Sequence, residues 1–297
     1  MSDKKLKVVL ALGYFDSVHI GHQKVIKKAV ALAKEKNATP LVYTFGDNPR
    51  SVFTGEQVKV VYTKDERREL YRLLGVEKAC FTTASKTFLS RGKRSFLNLL
   101  NSKYDVLGYV CGEDYTFGKG GKGNVAYLKS YAEKIGQFVE ICKIVTSGNE
   151  KVSSTLVKEL LSSGKVKTAN ELLGREYSIS GKVISDRHIG KTLGFPTLNV
   201  KLNSDKQRLK DGVYAGYSYI DGVKYQAVIN YGARPTFGLD EKLVEAHLIG
   251  FDGNLYGKNV TVYFIDFVRE VVKFDSVNEL VEQLKKDLIT VKEMKND

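Results

Sequence analysis

The chain of 297 residues has no apolar run of about 18 residues, so the sequence offers no candidate transmembrane helix. The basic N-terminus is followed by a short apolar run without a small-residue cleavage site, which favours a first strand over a secretory leader. Cysteine is scarce, and Cys80, Cys111 and Cys142 lie far apart with no Cys-x-x-Cys spacing. This argues against a disulfide framework and a zinc site, and we expect a reducing, cytoplasmic location.

Acidic residues are fewer than basic residues in this chain. Lysine and arginine number 47 against 34 acidic residues, a formal net charge of +13. Such an excess favours polyanionic partners, either nucleic acid or phosphorylated small molecules. The basic residues are spread along the chain without a long block, which is typical of a solvated surface. We therefore expect small phosphorylated ligands and no nucleic-acid partner.

Apolar runs alternate with helical patterns in the first part of the chain. The strand-like runs are "KVVLALGYF", "TPLVYTF", "KACFTTA", "VLGYVCG" and "FVEICKIV". Helical periodicity covers Gly21–Glu35 and segments around Phe96–Asn101 and Ala126–Lys134, and Thr63 and Glu66 have capping-box spacing. Strands that alternate with helices predict βαβ units and a parallel sheet.

The rhythm changes after about Gly174. The strand-like runs there are "YSISGKVIS", "GVYAGYSYI", "VKYQAVINYG", "EAHLIGF" and "NVTVYFIDFVRE". Asp221-Gly222 separates two of these runs, which is a strong hairpin signal. These features predict an antiparallel sheet or barrel. A last helix, capped by Ser276, follows the strands, and the segment that joins the two parts also has a helical pattern.

Two of the four histidines, His19 and His22, flank Gly21 where a predicted strand gives way to a helix. Ligands of an open parallel sheet bind at the carboxyl ends of its strands, and a helix N-terminus attracts anions. Imidazoles there can donate to phosphate oxygens, and Gly21 lets the backbone approach the ligand. The turn therefore suits stabilising an α-phosphate under attack. The alternatives are histidines that only cap the helix, or a metal site without an evident third ligand.

A second stretch of interest, which glycines interrupt, runs from Gly181 to Val200. Thr197 and Asn199 are two residues apart, so in an extended segment their side chains point the same way. Their oxygens suit Mg²⁺, which bridges to nucleotide phosphates. The alternative is a glycine-rich turn with a proline at a strand edge.

The histidine turn lies in "GYFDSVHIGH", which resembles the "G-x-F-D-G-x-H-x-G-H" segment of bacterial FAD synthetases. Its His-x-Gly-His core is a signature of the nucleotidyltransferase superfamily. "GEDYTFGKGGKG" (Gly112–Gly123) resembles the flavin-side loop of the FAD synthetases, and "KVSSTLVKELL" (Lys151–Leu161) resembles their ATP-phosphate segment. This sequence departs from the pattern at Ser17, where glycine is usual, and at Lys151 and Lys158, where arginines are usual.

The resemblance implies roles for particular residues. His19 and His22 would be catalytic. The residues expected to bind ATP for adenylyl transfer are Gly13, Phe15, Asp16, His19, Gly21, His22, Lys151, Ser154, Thr155 and Lys158. The residues expected to bind the flavin are Asp114, Tyr115 and Phe117.

The stretch Gly181–Val200 resembles the "G-x-x-x-x-G-R-x-L-G-F-P-T-A-N" signature of riboflavin kinases, with Lys191 in place of arginine. "VEAHLIGFDGNLYG" (Val244–Gly257) resembles a later segment of that family. The resemblance implies that Glu245 is the catalytic base and that Thr197 and Asn199 hold Mg²⁺, while His247 packs nearby without a catalytic role. The residues expected to bind ATP in this site are Gly181, Gly190, Lys191, Gly194, Thr197 and Asn199.

The resemblance covers residues 6–290 and points to the bacterial bifunctional riboflavin kinase/FAD synthetases. It implies an α/β, Rossmann-like nucleotidyltransferase domain over 1–165 and an antiparallel β-barrel kinase domain with a terminal helix over 174–297. We expect an enzyme that phosphorylates riboflavin to FMN with ATP and adenylylates FMN to FAD, releasing pyrophosphate. It would act as a monomer or transient oligomer, without a membrane partner. Two alternatives stay open: only one activity, most readily the kinase, or a regulator that binds flavin or RNA.

Overall fold

The computed structural model describes residues 5–184, 194–233 and 242–294. The chain divides into two compact units, Met1–Ser154 and Thr155–Asp297. The domain limits expected from the resemblance, 1–165 and 174–297, stay a prediction. Within the described ranges, no helix combines the length and the apolar character that crossing a bilayer requires.

The first unit contains a parallel five-stranded sheet. Its strands are β1 (Lys7–Leu12), β2 (Thr39–Phe45), β3 (Lys78–Thr82), β4 (Asp105–Gly112) and β5 (Phe138–Cys142), in the order β3-β2-β1-β4-β5. Its helices are α1 (Ile20–Glu35), α2 (Ser51–Thr54), α3 (Lys64–Leu73), α4 (Lys86–Leu89), α5 (Lys93–Lys103) and α6 (Val125–Glu133), with a 3₁₀ turn at Lys119–Gly121. A small hairpin, β6 (Thr146–Ser147) and β7 (Glu150–Lys151), follows the sheet.

Both faces of this sheet are buried, which is why β1 reads as a continuous apolar run. Val8, Leu10 and Leu12 belong to one core cluster, and Val9 and Ala11 to the other. Strand order reverses between β1 and β4, because the chain moves outward from β1 to β3 and then returns to the other side. The carboxyl ends of β1 and β4 therefore border the crevice in which open sheets bind ligands.

The second unit is built around a closed antiparallel barrel, as the sequence predicted. Helices α7 (Ser154–Ser162) and α8 (Val166–Leu173) come first, and α7 begins at the last residue of the first unit. The barrel strands are β8 (Tyr177–Ile184), β9 (Leu198–Lys201), β10 (Gly212–Ile220), β11 (Val223–Ala233), β12 (Lys242–Leu248) and β13 (Asn259–Arg269), in the order β10-β11-β12-β9-β8-β13. Helix α9 (Val277–Glu293) ends the fold.

Local signals in the sequence are realised as hydrogen-bonded turns and caps. Asp221 and Gly222 both adopt positive φ, +50° and +83°, and connect β10 to β11. That is the two-residue turn whose twist matches paired strands. The Ser276 hydroxyl accepts from the Glu279 N–H at 3.2 Å and so caps α9. Thr63 forms the expected capping box at the start of α3.

Helix α9 covers part of the outer face of the barrel. Val291 of α9 clusters with Val213 and Val228 of β10 and β11. Arg269, at the end of β13, donates two hydrogen bonds to the buried Asp287 carboxylate of α9, at 2.8 and 2.6 Å. This bidentate ion pair fixes the helix against the strands.

Candidate active sites

His19 is the N-cap of α1, and its Nδ1 accepts a hydrogen bond from the His22 N–H at 3.2 Å. Because Nδ1 acts as the acceptor, the proton of the neutral ring lies on Nε2. The two imidazole rings stack with centroids 3.6 Å apart. His19 therefore caps the helix just beyond the carboxyl end of β1, and its role at a phosphate stays a prediction.

Gly21 lies close beneath the His19 ring, and a side chain there would crowd the imidazole. A Cβ built at Gly21 would lie 3.0 Å from the His19 Cε1 and 3.1 Å from its Nδ1. A Cβ at Gly13 would likewise lie 2.6 Å from the ring of Phe15. Both glycines thus make room for side chains of the turn itself. The sequence argument had expected Gly21 to make room for a ligand.

The loop between β1 and α1 holds two residues in the left-handed region, Phe15 with φ +50° and Val18 with φ +45°. Such values are rare for a β-branched residue and persist only where the surroundings hold them. Both side chains are buried. Asp16, predicted to bind ATP, is 1% exposed, and its Oδ1 accepts from the Val61 N–H at 2.9 Å. Asp16 thus stabilises the loop through this buried hydrogen bond.

Arg67 of α3 is a residue that the sequence reasoning missed. It is 0% exposed and donates to the carbonyl oxygens of Tyr14 at 3.1 Å and Phe45 at 3.0 Å, and also to that of Gly46. A buried guanidinium normally needs such partners, and these carbonyls lie at the end of β2 or just beyond β1 and β2. The available signal was weak: Arg67 shares a helical face with the buried Tyr71.

The structure brings some of the predicted ATP-binding residues together. Lys151 forms an ion pair with Asp114, so the ATP-side and flavin-side segments meet through these two side chains. The Ser154 hydroxyl lies 2.9 Å from the hydroxyl of Ser17 in the histidine turn. Thr155 and Lys158 lie further along α7, beyond the first unit.

The predicted flavin residues after β4 differ in exposure. Phe117 is 6% exposed and packs in the core against Phe96, with ring centroids 5.6 Å apart. Tyr115 is half-buried and stacks on Phe117 with centroids 5.6 Å apart. Burial raises the pKa of Tyr115. The packing leaves Tyr115 the more accessible of the two rings.

In the second unit, three polar side chains form a row across adjacent barrel strands. Glu245 on β12 lies directly opposite Asn199 on β9 and Asn230 on β11. Directly opposed residues share a face of the sheet. The Asn230 Nδ2 donates to the Glu245 Oε2 at 3.4 Å. Asn199 is 4% exposed, whereas Asn230 is exposed. The register thus supplies Asn230, which the sequence reasoning missed because nothing local marks it.

This row lies outside the barrel core. Along β12, Val244, Ala246 and Leu248 are buried, whereas Glu245 and His247 alternate with them and are only half-buried. Alternate residues of a barrel strand point to opposite sides of its wall. The carboxylate predicted to act as a base therefore points to the outer side of the barrel wall.

The segment before β9 is held by His247. The His247 Nδ1 lies 2.8 Å from the Pro196 carbonyl oxygen, and its ring contacts Phe195 edge-on at 5.6 Å. His247 therefore packs near the site, as expected, and Thr197 follows the bonded carbonyl directly. Gly194 has φ +84°, a conformation that favours glycine.

Other predicted kinase residues have different outcomes. Close packing between β8 and β9 explains the glycine at position 181, because a Cβ on Gly181 would lie 2.3 Å from the Lys201 carbonyl oxygen of β9. The predicted ATP-binding residues Gly190 and Lys191 lie outside the described residues. Their roles stay predictions.

The kinase residues offer an oxygen donor set for Mg²⁺. Among the residues that the structure describes, no three His, Cys, Asp or Glu side chains form a metal cluster. The predicted ligands Thr197 and Asn199 supply instead a hydroxyl and an amide oxygen. Few protein ligands and mainly neutral oxygens suit a magnesium ion that also keeps waters and nucleotide phosphates. The donor chemistry therefore fits Mg²⁺ delivered with ATP.

Comparison with known proteins identifies both units. Residues 1–156 match the family model described as FAD synthetase, and residues 173–295 match that described as riboflavin kinase. The bifunctional riboflavin kinase/FMN adenylyltransferase of Listeria monocytogenes is 34% identical, with 94% of this chain and 90% of the relative covered. The protein of that name from Bacillus subtilis is 33% identical, with 97% and 92% covered.

A solved structure agrees over nearly the whole length. A crystal structure from Streptococcus pneumoniae, titled a macrolide-efflux protein, has 30% sequence identity and a TM-score of 0.89, with 99% of this chain and 96% of that chain covered. The efflux activity in that title concerns that protein. The two family models and the full-length relatives agree with the motifs in both units, and the chain belongs to the family of bifunctional riboflavin kinase/FMN adenylyltransferases.

Proposed function

We propose that this chain phosphorylates riboflavin to FMN with ATP in its second unit and adenylylates FMN to FAD in its first unit. The carrying observation is that each unit has its own set of polar groups suited to one step. Glu245 lies between two amides on the barrel wall, and the stacked His19 and His22 lie at the start of α1. Both family models span these residues, so we propose that both activities are retained.

In the kinase step, Glu245 acts as the general base. The ribityl 5′-hydroxyl is a weak nucleophile, and the carboxylate accepts its proton as the oxygen attacks the γ-phosphorus of ATP. The hydrogen bond from Asn230 restricts the rotation of the carboxylate and keeps its orientation. Thr197 and Asn199 would hold Mg²⁺, which neutralises phosphate charge when bound. Gly181, Gly190, Lys191 and Gly194 would complete the ATP site.

In the adenylyl step, the FMN phosphate attacks the α-phosphorus of ATP directly and pyrophosphate leaves. The attack adds negative charge at the phosphoryl oxygens, which the His19 Nε2–H, the His22 imidazole and the free N–H groups of α1 stabilise. Lys151 and Ser154 of the first unit would hold the ATP phosphates, and the roles of Thr155 and Lys158 stay predictions. Tyr115 and Asp114 would contact the flavin side.

The net charge of +13 then has a small-molecule explanation, because every substrate except riboflavin is an anion. We propose that the enzyme acts in the cytoplasm, as a monomer or transient oligomer, without nucleic acid. A filter-binding measurement across salt concentrations tests the last point, since nucleic-acid binding would weaken steeply with salt.

Product chromatography with ATP and Mg²⁺ tests the two activities. One reaction starts from riboflavin and the other from FMN. The wild-type protein is expected to convert riboflavin to FMN and FAD, and FMN to FAD. Glu245→Gln should stop the first reaction and leave the second, whereas His19→Ala should accumulate FMN from riboflavin. Riboflavin conversion that stops at FMN in the wild type would instead establish the kinase alone.

A further inference from the structure

Ser17 stands where the resembling family usually has glycine, and the structure gives that serine a partner. Its side chain is fully buried within the histidine turn, and its Oγ lies 2.9 Å from the Oγ of Ser154. The backbone explains why serine is tolerated, since Phe15 and Val18 have positive φ and Ser17 does not. Position 17 therefore does not need glycine's conformational freedom, and a hydroxyl is placed there.

The partner hydroxyl belongs to the segment predicted to hold the ATP phosphates. Ser154 is half-buried, so a ligand can reach it, whereas Ser17 cannot be reached. A serine hydroxyl has one proton to donate and two lone pairs. If Ser17 donates to Ser154, the Ser154 proton remains available for a phosphate oxygen. A hydroxyl that accepts one hydrogen bond is also polarised toward donating another.

We propose that Ser17 is a positioning residue for adenylyl transfer: it donates to the Ser154 oxygen and so directs the Ser154 hydroxyl proton at the ATP phosphates. The inference rests on the proposed adenylyltransferase function of the first unit. In this arrangement Ser17 acts through Ser154 and does not touch the substrate. Removing its hydroxyl leaves Ser154 free to rotate or to donate back into the turn, which weakens ATP binding.

The test is a double-mutant cycle on FMN adenylylation with Ser17→Ala, Ser154→Ala and the double variant. Loss of one oriented hydrogen bond corresponds to about a threefold to tenfold change. Ser17→Ala is therefore expected to raise the KM for ATP by about that factor, with kcat and the KM for FMN changed less than about twofold. In the Ser154→Ala background the same substitution should have no further effect, because the residue through which Ser17 acts is gone.

Ser17→Gly, which restores the usual family residue, should behave like Ser17→Ala. The kinase reaction of each variant, measured from riboflavin in the same preparation, reports whether the rest of the chain is intact. Ser102→Ala is the matched control, because it removes a serine hydroxyl bond of 2.8 Å, to the Leu99 carbonyl, near the C-terminal end of α5. This control should change neither reaction.

The outcomes separate the inference from the proposed function. A wild-type protein that makes no FAD from FMN would refute the function of the first unit. An active wild type whose Ser17→Ala variant keeps its KM for ATP would overturn only the role of Ser17. If Ser17→Ala has equal effects with and without the Ser154 hydroxyl, Ser17 has only a packing role. That result would also overturn the positioning role of Ser17.

Discussion

Replacing Asn230 with aspartate tests whether Glu245 is the base and whether the barrel register is correct. The substitution puts a second carboxylate where an amide now lies 3.4 Å from the Glu245 Oε2. Two unit charges about 3.4 Å apart repel by about 1.2 kcal/mol at an effective dielectric constant of about 80, and by about 2.4 kcal/mol at about 40. The exposed position of Asn230 favours this range over the larger values of a protein interior.

Repulsion favours the protonated, inactive form of the base. Because one pH unit corresponds to about 1.36 kcal/mol, the acidic limb of the kinase pH profile should move upward by about one to two units. The assay is kcat/KM for riboflavin phosphorylation between pH 5 and 9. At high pH, where both carboxylates are ionised, the variant should approach the activity of Asn230→Ala, which also lacks the amide donor to Glu245. Asn230→Ala should leave the acidic limb within about half a unit while lowering kcat.

Gln226→Glu is the matched control, because it makes the same amide-to-carboxylate change on the same strand, four residues from Asn230. Its pH profile should follow the wild type. FMN adenylylation by all of these variants should also be unchanged, because Asn230 belongs to the kinase site. An unmoved acidic limb in Asn230→Asp would refute either the juxtaposition or the role of Glu245.

Three further predictions follow from contacts in the two units. Gly21→Ala should shift the His19 ring by a few tenths of an ångström and lower FMN adenylylation by up to about tenfold in a steady-state assay, with riboflavin phosphorylation unchanged. Asp287→Asn should leave the Arg269 charge without its carboxylate and lower the free energy of unfolding of the second unit by about 3 kcal/mol, measured in urea. Burial raises the pKa of Cys111 to about 12, so a thiol reagent at pH 8 should modify it only after denaturation, as peptide mapping can establish.

The sequence predicted those features that depend on neighbours along the chain. Apolar runs and helical periodicity predicted the sheet strands and α1, because a buried element needs a continuous apolar face. Turn and cap residues behaved as expected at Asp221 and Ser276, where a few consecutive residues contain the whole interaction. The short strand β9 was not separated from the glycine-rich stretch before it, because four residues carry too little pattern.

The parts that the sequence did not predict depend on pairing between distant segments. Asn230 meets Glu245 only through the register of β11 with β12. The residue type does not distinguish Arg67 from Arg68, although the first is fully buried and the second is exposed. Glu245 itself came from the family resemblance, since its chemistry is shared by every acidic residue of the chain.

Because side chains on β12 alternate between the two sides of the barrel wall, kinase activity depends on the register of this strand. Glu245 and His247 face outward, while Val244, Ala246 and Leu248 fill the core. The alternation of side chains along this one strand therefore separates the residues of the proposed site from those of the core. A slip of one residue would exchange the two sets of residues and point the Glu245 side chain into the barrel interior. A slip of two would keep the core apolar but carry Glu245 away from Asn199 and Asn230. A folded variant without kinase activity can therefore reveal a mispaired β12 that a stability measurement would overlook.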